Sequence, residues 1–368
     1  MRNLIIFIQK YGTHIETGLT KFLSLTRPSI IVINPKKVIG FMDDLDIAEI
    51  GRVLGYDLFQ FGKRQPCTDW PQSVVEGFLH AASINVVKKL GNRYINKYLQ
   101  LRLNALRRHR IVDPQINPDL IQQIDVEQCP VTRRALTHGE LKDTDWSVDR
   151  LNNDAAYAPH NLAVVSTLAN RAKADRTYEE VYALSQQTDA TDGLQPQEWL
   201  RLAALMLGSC FATRPRLAPV IPLTAPIPKQ TVRLTMQQVQ YVMTIMAKRS
   251  AGKNALLKNF KTVSDNNQAR LCLHRLVDAV HQGLKHDESP WDVWLQAGVM
   301  DALLAWRLSL DLRSWAIAGQ VSMQLAGARP VEKNRLQSWQ LKTSGYFPFP
   351  SNTRKIKPAA NVGSQKQY

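Results

Sequence analysis

Cysteine is scarce in this chain of 368 residues. Cys67, Cys129, Cys210 and Cys272 are its four cysteines, and no C-x-x-C pair occurs. Their wide spacing offers neither a disulfide framework nor a self-contained zinc knuckle, so reduced thiols and no structural zinc are expected. Long apolar runs are also missing. Runs such as Leu4 to Ile8 and Ile30 to Ile33 fall far short of the roughly 18–20 residues of a membrane-spanning helix. Met1 to Ile8 is too short for the apolar region of a secretory signal. A soluble cytoplasmic protein with no membrane partner is expected. Acidic residues are outnumbered, 31 Asp+Glu against 47 Lys+Arg, a net charge of +16 that points to a polyanionic partner. A hydrophobic content of 44% excludes wholesale disorder, and the length leaves room for two or three domains.

The charge is clustered. Lys88, Lys89, Arg93, Lys97, Arg102, Arg107, Arg108 and Arg110 occur between positions 88 and 110 without one acid, and Arg354, Lys355, Lys357 and Lys366 do the same between 351 and 368. In the first stretch Tyr94, Ile95, Tyr98, Leu99, Leu101, Leu103 and Leu106 recur at steps of three and four, as on an amphipathic helix with a basic outer face. Such a helix can track a phosphate backbone and release its condensed counterions; the bland alternative is a solvated basic face.

Residues 1–128 are expected to form a helical domain, with segments around Leu4 to Leu25, Asp44 to Leu54, Pro71 to Leu90 and Arg93 to Arg108. Asp43, Asp44, Asp46 and Glu49 are read as helix-start acids suited to the helix dipole and not as a metal cluster. Pro114 and Pro118 punctuate a connection into residues 129–177, where short β-like runs replace the helical pattern. A helical extension, 178–213, leads to Pro215, Pro219, Pro222, Pro226 and Pro228, read as a semi-rigid extended linker over 214–230. Residues 231–328 read as a C-terminal helical bundle with Trp291, Trp294, Trp306 and Trp315 in its core. Within it, Ser289-Pro290 is a helix start signal, and His274 and His281 are packing or surface residues. The basic end, 329–368, has no pattern and is expected to be disordered.

The stretch with chemistry in it runs from Cys129-Pro-Val-Thr132 through Ser147-Val-Asp149-Arg150-Leu, Tyr157, His160-Asn161 and Asn170-Arg-Ala-Lys173 to Asp175. Alternation over Trp146 to Leu151 puts Ser147, Asp149 and Leu151 on one strand face and Trp146, Val148 and Arg150 on the other. A turn-rich loop, Asn152 to Asn161, a second short strand, Leu162 to Val165, and a helix over Thr167 to Lys173 follow. A strand–loop–strand–helix of this size can bring a strand carboxylate and a helix amide to one side as hard oxygen ligands for Mg²⁺, a site suited to phosphodiester hydrolysis.

The order and spacing of these residues resemble the HNH endonucleases, the ββα-metal or His-Me finger nucleases, in the divergent form that reads S-[LV]-D-R-[IL]. The resemblance covers about residues 129–175. It implies a small α+β unit inside a mainly α protein, a divalent metal, Mg²⁺ or Mn²⁺, on Asp149 and Asn170, and Asn161 as the residue that fixes the loop. Lys173, one turn beyond Asn170, would meet a phosphate.

Where the better-known members carry a histidine as general base, this chain has Arg150, a guanidinium that takes no proton at neutral pH. Three readings follow: a base from elsewhere, with His160 and His138 the nearest histidines; Arg150 as a phosphate clamp; or a retained fold that binds without cutting. The unit is nearly neutral, so its grip would have to come from the helical flanks. The leading expectation is a metal-dependent endonuclease acting on DNA in preference to RNA. The alternative is a catalytically impaired nucleic-acid-binding subunit of a larger bacterial defence or mobile-element nucleoprotein complex, and a third reading is a helical scaffold for an acidic protein.

Overall fold

The computed structural model describes residues 44–62, 65–211, 220–228, 233–285 and 289–327. The expected helix over Leu4 to Leu25, Asp43, Pro215, Pro219 and the basic end from Arg329 lie outside the described residues. The described residues form a mainly helical protein with one small two-stranded antiparallel sheet. Among them no helix is long and apolar enough to cross a membrane.

Helices α1 (Asp44–Gln60) and α2 (Gln72–Ser83) pack backbone to backbone. A methyl group added at Gly55 would lie 2.0 Å from the Val74 carbonyl oxygen, and one at Gly77 1.9 Å from that of Arg52, so only glycine permits this approach. Helix α2 stops at Ser83, short of the expected Leu90, because Asn85 turns into the left-handed region (φ 50°). The apolar residues beyond it, Ile84, Val87 and Leu90, are exposed.

Helix α3 (Arg93–Arg107) is the expected basic helix; the Asn92 side chain caps it, accepting from the Tyr94 and Ile95 N–H groups at 3.0 and 2.9 Å. Leu99 and Leu106 bury with Leu54, Leu58, Trp70, Val74 and Phe78 in a small N-terminal core, whereas Leu101 and Ala105 enter the main core. The helix therefore lies between two cores, and through it the described residues before position 129 are joined to the main core. The connection punctuated by Pro114 and Pro118 contains a short helix, α4 (Pro118–Gln123), in which Asn117 accepts from Leu120 N–H at 2.8 Å and Pro118 takes the first helical position. The similar signal at Ser289-Pro290 gives a 3₁₀ turn over Pro290–Leu295 with no side-chain cap bond.

The central unit follows the expected order. Strand β1 (Trp146–Arg150) pairs antiparallel with β2 (Leu162–Ser166), Asp149 opposite Ala163, and helix α5 (Thr167–Lys173) starts from Ser166, whose hydroxyl accepts from Ala169 N–H. Helices α6 (Tyr178–Leu184) and α7 (Pro196–Phe211) continue the chain, α6 opened by a capping box between Thr177 and Glu180.

The described part of the proline-rich segment is extended, as expected, and it is packed. Over residues 220–228 Ile221, Leu223, Ala225 and Ile227 are buried at alternate positions, and the chain lies as a strap in a core that runs from Leu101 to Ala318. The C-terminal helices α8 (Thr235–Met246), α9 (Ser250–Phe260), α10 (Asn267–Gly283), α11 (Ala297–Leu308) and α12 (Leu312–Leu325) share that core. Trp294 and Trp306 are fully buried, their indole N–H groups donating to the Thr244 and Ser264 hydroxyls at 2.8 and 3.1 Å, while Trp291 and Trp315 are partly buried against the same core. His281 bonds the Ala247 carbonyl through Nδ1, and His274 is exposed.

Arg133 ties the central unit to the bundle: its guanidinium meets both Asp292 oxygens at 2.6 and 2.5 Å and donates to the strap carbonyl of Thr224 at 3.3 Å. Removing it would strand a partly buried carboxylate. Arg133→Ala is expected to cost about 2 kcal/mol, read as a lowered urea midpoint. A loss below about 0.5 kcal/mol, the level of an ordinary surface change, would show that apolar packing alone holds the strap.

Candidate functional site

Ser147 and Asp149 alternate onto one face of β1, and Asn170 and Lys173 are one turn apart on α5, so strand and helix meet in two rungs. In the first, the Asn170 amide nitrogen donates to the Ser147 hydroxyl at 2.7 Å. In the second, the Lys173 ammonium, with 0% of its surface exposed, lies 3.1 Å from Asp149 Oδ2 and donates to Oδ1 at 3.3 Å. Oδ2 receives no aligned hydrogen bond, so that closer contact is mainly electrostatic. Burial pushes the Asp149 carboxyl up from its ordinary value, with the Lys173 and Arg150 charges pulling it down.

A third contact of the ammonium goes to Asn153 Oδ1 at 3.1 Å. Asn153 is the hub of the site. Its amide donates to the Ala174 and Arg176 carbonyls at 3.1 and 3.4 Å, and its own carbonyl accepts from Arg150 at 2.9 Å and Arg110 at 3.1 Å. The doubled Asn152-Asn153 was the only hint of this in the sequence.

Arg150 faces the loop. Its guanidinium also donates to the Ala155 carbonyl at 2.9 Å and lies 5.0 Å from the centre of the Tyr157 ring, leaving the residue 8% exposed. It brackets the loop and is not presented as a phosphate clamp. Asn161 closes the same loop, donating to the Asn152 and Ala156 carbonyls at 2.9 and 3.0 Å and accepting from Asn152 N–H at 2.8 Å.

The two histidines do not join these rungs. His138 is exposed and packs edge-on against Trp146, which points to the opposite face of β1 from Asp149; its Nε2 lies 3.1 Å from Arg93. His160 is partly buried beside Asn161, and its carbonyl accepts from Ser209 of α7 at 3.2 Å. The side chains that bond those of Asp149 and Asn170 are Lys173 and Ser147.

A divalent cation on Asp149 and Asn170 would need their oxygens turned to one point free of other cations. Asp149 instead faces a buried ammonium, so the residues as arranged do not fit Mg²⁺ or Mn²⁺. Lys173, fully buried, does not reach outward to a phosphate either. Among the described residues no group of three or more His, Cys, Asp or Glu side chains converges. Cys129 is an acceptor here: its sulfur takes the Thr132 and Ser166 N–H groups at 3.4 and 3.2 Å, pinning the turn before β1 to the end of β2. All four cysteines are free thiols, and burial pushes the Cys210 thiol up to about 12.

The expected nucleic-acid grip is divided. Arg93, Arg102 and Arg107 pair with Asp125, Asp57 and Asp69, the first two at 2.6 Å. Lys97 lies 4.9 Å over the Trp146 ring and donates to the Trp146 carbonyl, and burial lowers its pKa. Arg110 is partly buried against the loop. Lys88, Lys89 and Arg108 are exposed, the first two near the Phe59 and Phe61 rings at 4.9 and 6.0 Å, and Arg93 and Arg107 also keep exposed surface. Compared with protein-family models, curated proteins and solved structures, the chain matches none.

Asp149→Asn would leave a buried ammonium without its counter-charge and is expected to cost about 3–5 kcal/mol. The double variant Asp149→Leu, Lys173→Met is expected to stay within about 1 kcal/mol of the parent, since an apolar pair can replace a buried ion pair. Urea denaturation of both decides this; a near-neutral Asp149→Asn would show that the pair is not the tie between β1 and α5. Ala174 occupies φ 47°, ψ −120°, the first central position of a type II′ turn closed by Arg176 N–H to the Lys173 carbonyl at 3.0 Å, a place suited to glycine. Ala174→Gly is expected to raise stability by about 1 kcal/mol, measured as a higher melting temperature, and an unchanged or lower value would rule out strain there.

Proposed function

We propose that the protein binds nucleic acid as a subunit of a larger nucleoprotein assembly, and that its ββα unit, similar to the HNH nucleases, serves as a rigid module without cutting. The observation that carries this reading is the Lys173 ammonium seated on Asp149. A cation already neutralises the carboxylate that the resemblance gives to the metal, and Arg150, in the position of the general base, holds the loop. The exposed cations Lys88, Lys89, Arg93, Arg107 and Arg108 support binding: each phosphate they neutralise releases counterions. Cleavage would require Asp149 to be freed from Lys173 and a base to be brought to it.

Fluorescence anisotropy of the full chain with labelled DNA and RNA is expected to show binding that weakens about a hundredfold or more between 50 and 200 mM salt, with DNA preferred. The Lys88→Glu, Lys89→Glu, Arg108→Glu triple variant is expected to bind at least about tenfold more weakly, as three phosphate contacts are reversed. Supercoiled plasmid incubated with Mg²⁺ or Mn²⁺ is expected to stay intact. Reproducible metal-dependent nicking that Asp149→Ala abolishes would overturn the non-cutting reading, and salt-insensitive or absent binding would overturn the whole proposal.

A further inference from the structure

Lys173 carries a nucleophilic nitrogen for which binding to nucleic acid has no use. That nitrogen is fully buried and touches three oxygens: both of Asp149, at 3.1 and 3.3 Å, and Oδ1 of Asn153, at 3.1 Å. A carbonyl bond is about 1.23 Å long, so Cγ of Asn153 lies within about 4.3 Å of the same nitrogen. A shift of about 1 Å or less would bring the two atoms to the roughly 3–3.5 Å from which an amine can attack a carboxamide.

An ammonium has no lone pair and cannot attack until it gives up a proton. Asp149 is the base in contact with it. Transfer to Oδ2 leaves both partners uncharged, a change that burial favours, and Oδ2 is the oxygen that no aligned donor occupies. The same burial pushes the Asp149 carboxyl up from its ordinary value. Asn153 presents the complementary half. Its amide nitrogen, the leaving group, is held by the Ala174 and Arg176 carbonyls at 3.1 and 3.4 Å, while its Oδ1 faces Lys173. Asn153 is partly exposed, so ammonia formed there has a way to solvent.

We propose that Lys173 and Asn153 join in an intramolecular isopeptide bond, with Asp149 as the proton carrier. The Lys173 ammonium gives a proton to Asp149, and the resulting amine adds to Asn153 Cγ. The Cγ–Nδ2 bond then breaks as Asp149 delivers its proton to the departing nitrogen and takes one from the newly bonded nitrogen. Ammonia leaves, a secondary amide links α5 to the loop, and Asp149 ends protonated beside it. Atoms and charges balance with no oxidant or cofactor. Because two carbonyls hold the Asn153 amide, the newly folded chain is expected to carry the ion pair and to convert over days. The cross-link is independent of whether the protein binds nucleic acid.

Intact-mass spectrometry of the purified full chain, followed for a fortnight at 37 °C, tests this. The expected product is lighter than the starting chain by about 17 Da, one ammonia. A succinimide at Asn153 has the same mass, so a tryptic digest decides between them. Cleavage after Arg150, Arg171 and Arg176 is expected to yield peptide 151–171 joined to peptide 172–176, uncut at Lys173. Asn153→Ala, Lys173→Arg and the double variant Asp149→Leu, Lys173→Met are expected to yield no joined peptide. Asp149→Asn, in the fraction that stays folded by circular dichroism, is expected to convert at least about a hundredfold more slowly, the scale of a lost general base. A parent that keeps its full mass throughout, or one that loses ammonia without the joined peptide, would overturn the cross-link. Conversion of Asp149→Asn at the parental rate would overturn the part given to Asp149.

Discussion

The ammonium of Lys173 is the constraint around which the central unit is assembled. Removing a lysine and an aspartate from water is costly, and the arrangement is tolerable only because the ammonium has more than one partner. Asp149 supplies the opposite charge, and Asn153 supplies a further acceptor. Since those two residues belong to β1 and to the loop, the one cation on α5 fixes strand, loop and helix together. Arg150 and Arg110 extend the arrangement by donating to the Asn153 carbonyl, so the end of the basic region is anchored to the same point.

A similar economy governs α3. Lying between two cores, it has little surface to present as an uninterrupted basic stripe. Its cations are oriented by Asp57, Asp69 and Asp125, which belong to the elements around it. The Arg107–Asp69 pair, exposed on both sides, contributes little to stability, whereas Asp57 and Asp125 are mostly covered beneath their arginines. What the pairs set is direction: the charge is gathered toward the two ends of the helix.

Much of this was legible in the amino-acid order. Period-3.6 patterns located most helices, alternation over Trp146 to Leu151 located β1, and two of the four C-terminal tryptophans read as core, Trp294 and Trp306, are fully buried, with Trp291 and Trp315 partly buried against the same core. The partner of Asp149 was not legible. Lys173 is 24 positions away, and its place one turn after Asn170 is equally compatible with an outward phosphate contact and an inward ion pair; only the depth of α5 against the sheet decides between them. The packing of the proline-rich strap is hidden for a different reason. Composition excludes helix but cannot separate an extended spacer from an extended packed segment, whereas the alternation of Ile221, Leu223, Ala225 and Ile227 carried the missing information. Pro118 alone reads as a break, but behind the capping Asn117 it takes the first position of helix α4.

The buried strap has a consequence for how such a protein can arise. Four of its apolar side chains complete a core to which both the ββα region and the C-terminal helices contribute. A break within it would open that core on both sides, unlike a break in a tether between finished domains. The C-terminal helices are therefore poorly suited to being shuffled between genes as a cassette: a recombination event that took them without the strap and its Arg133 anchor would deliver an unfinished interior. Lineages of this protein are expected to have inherited the described region as a whole.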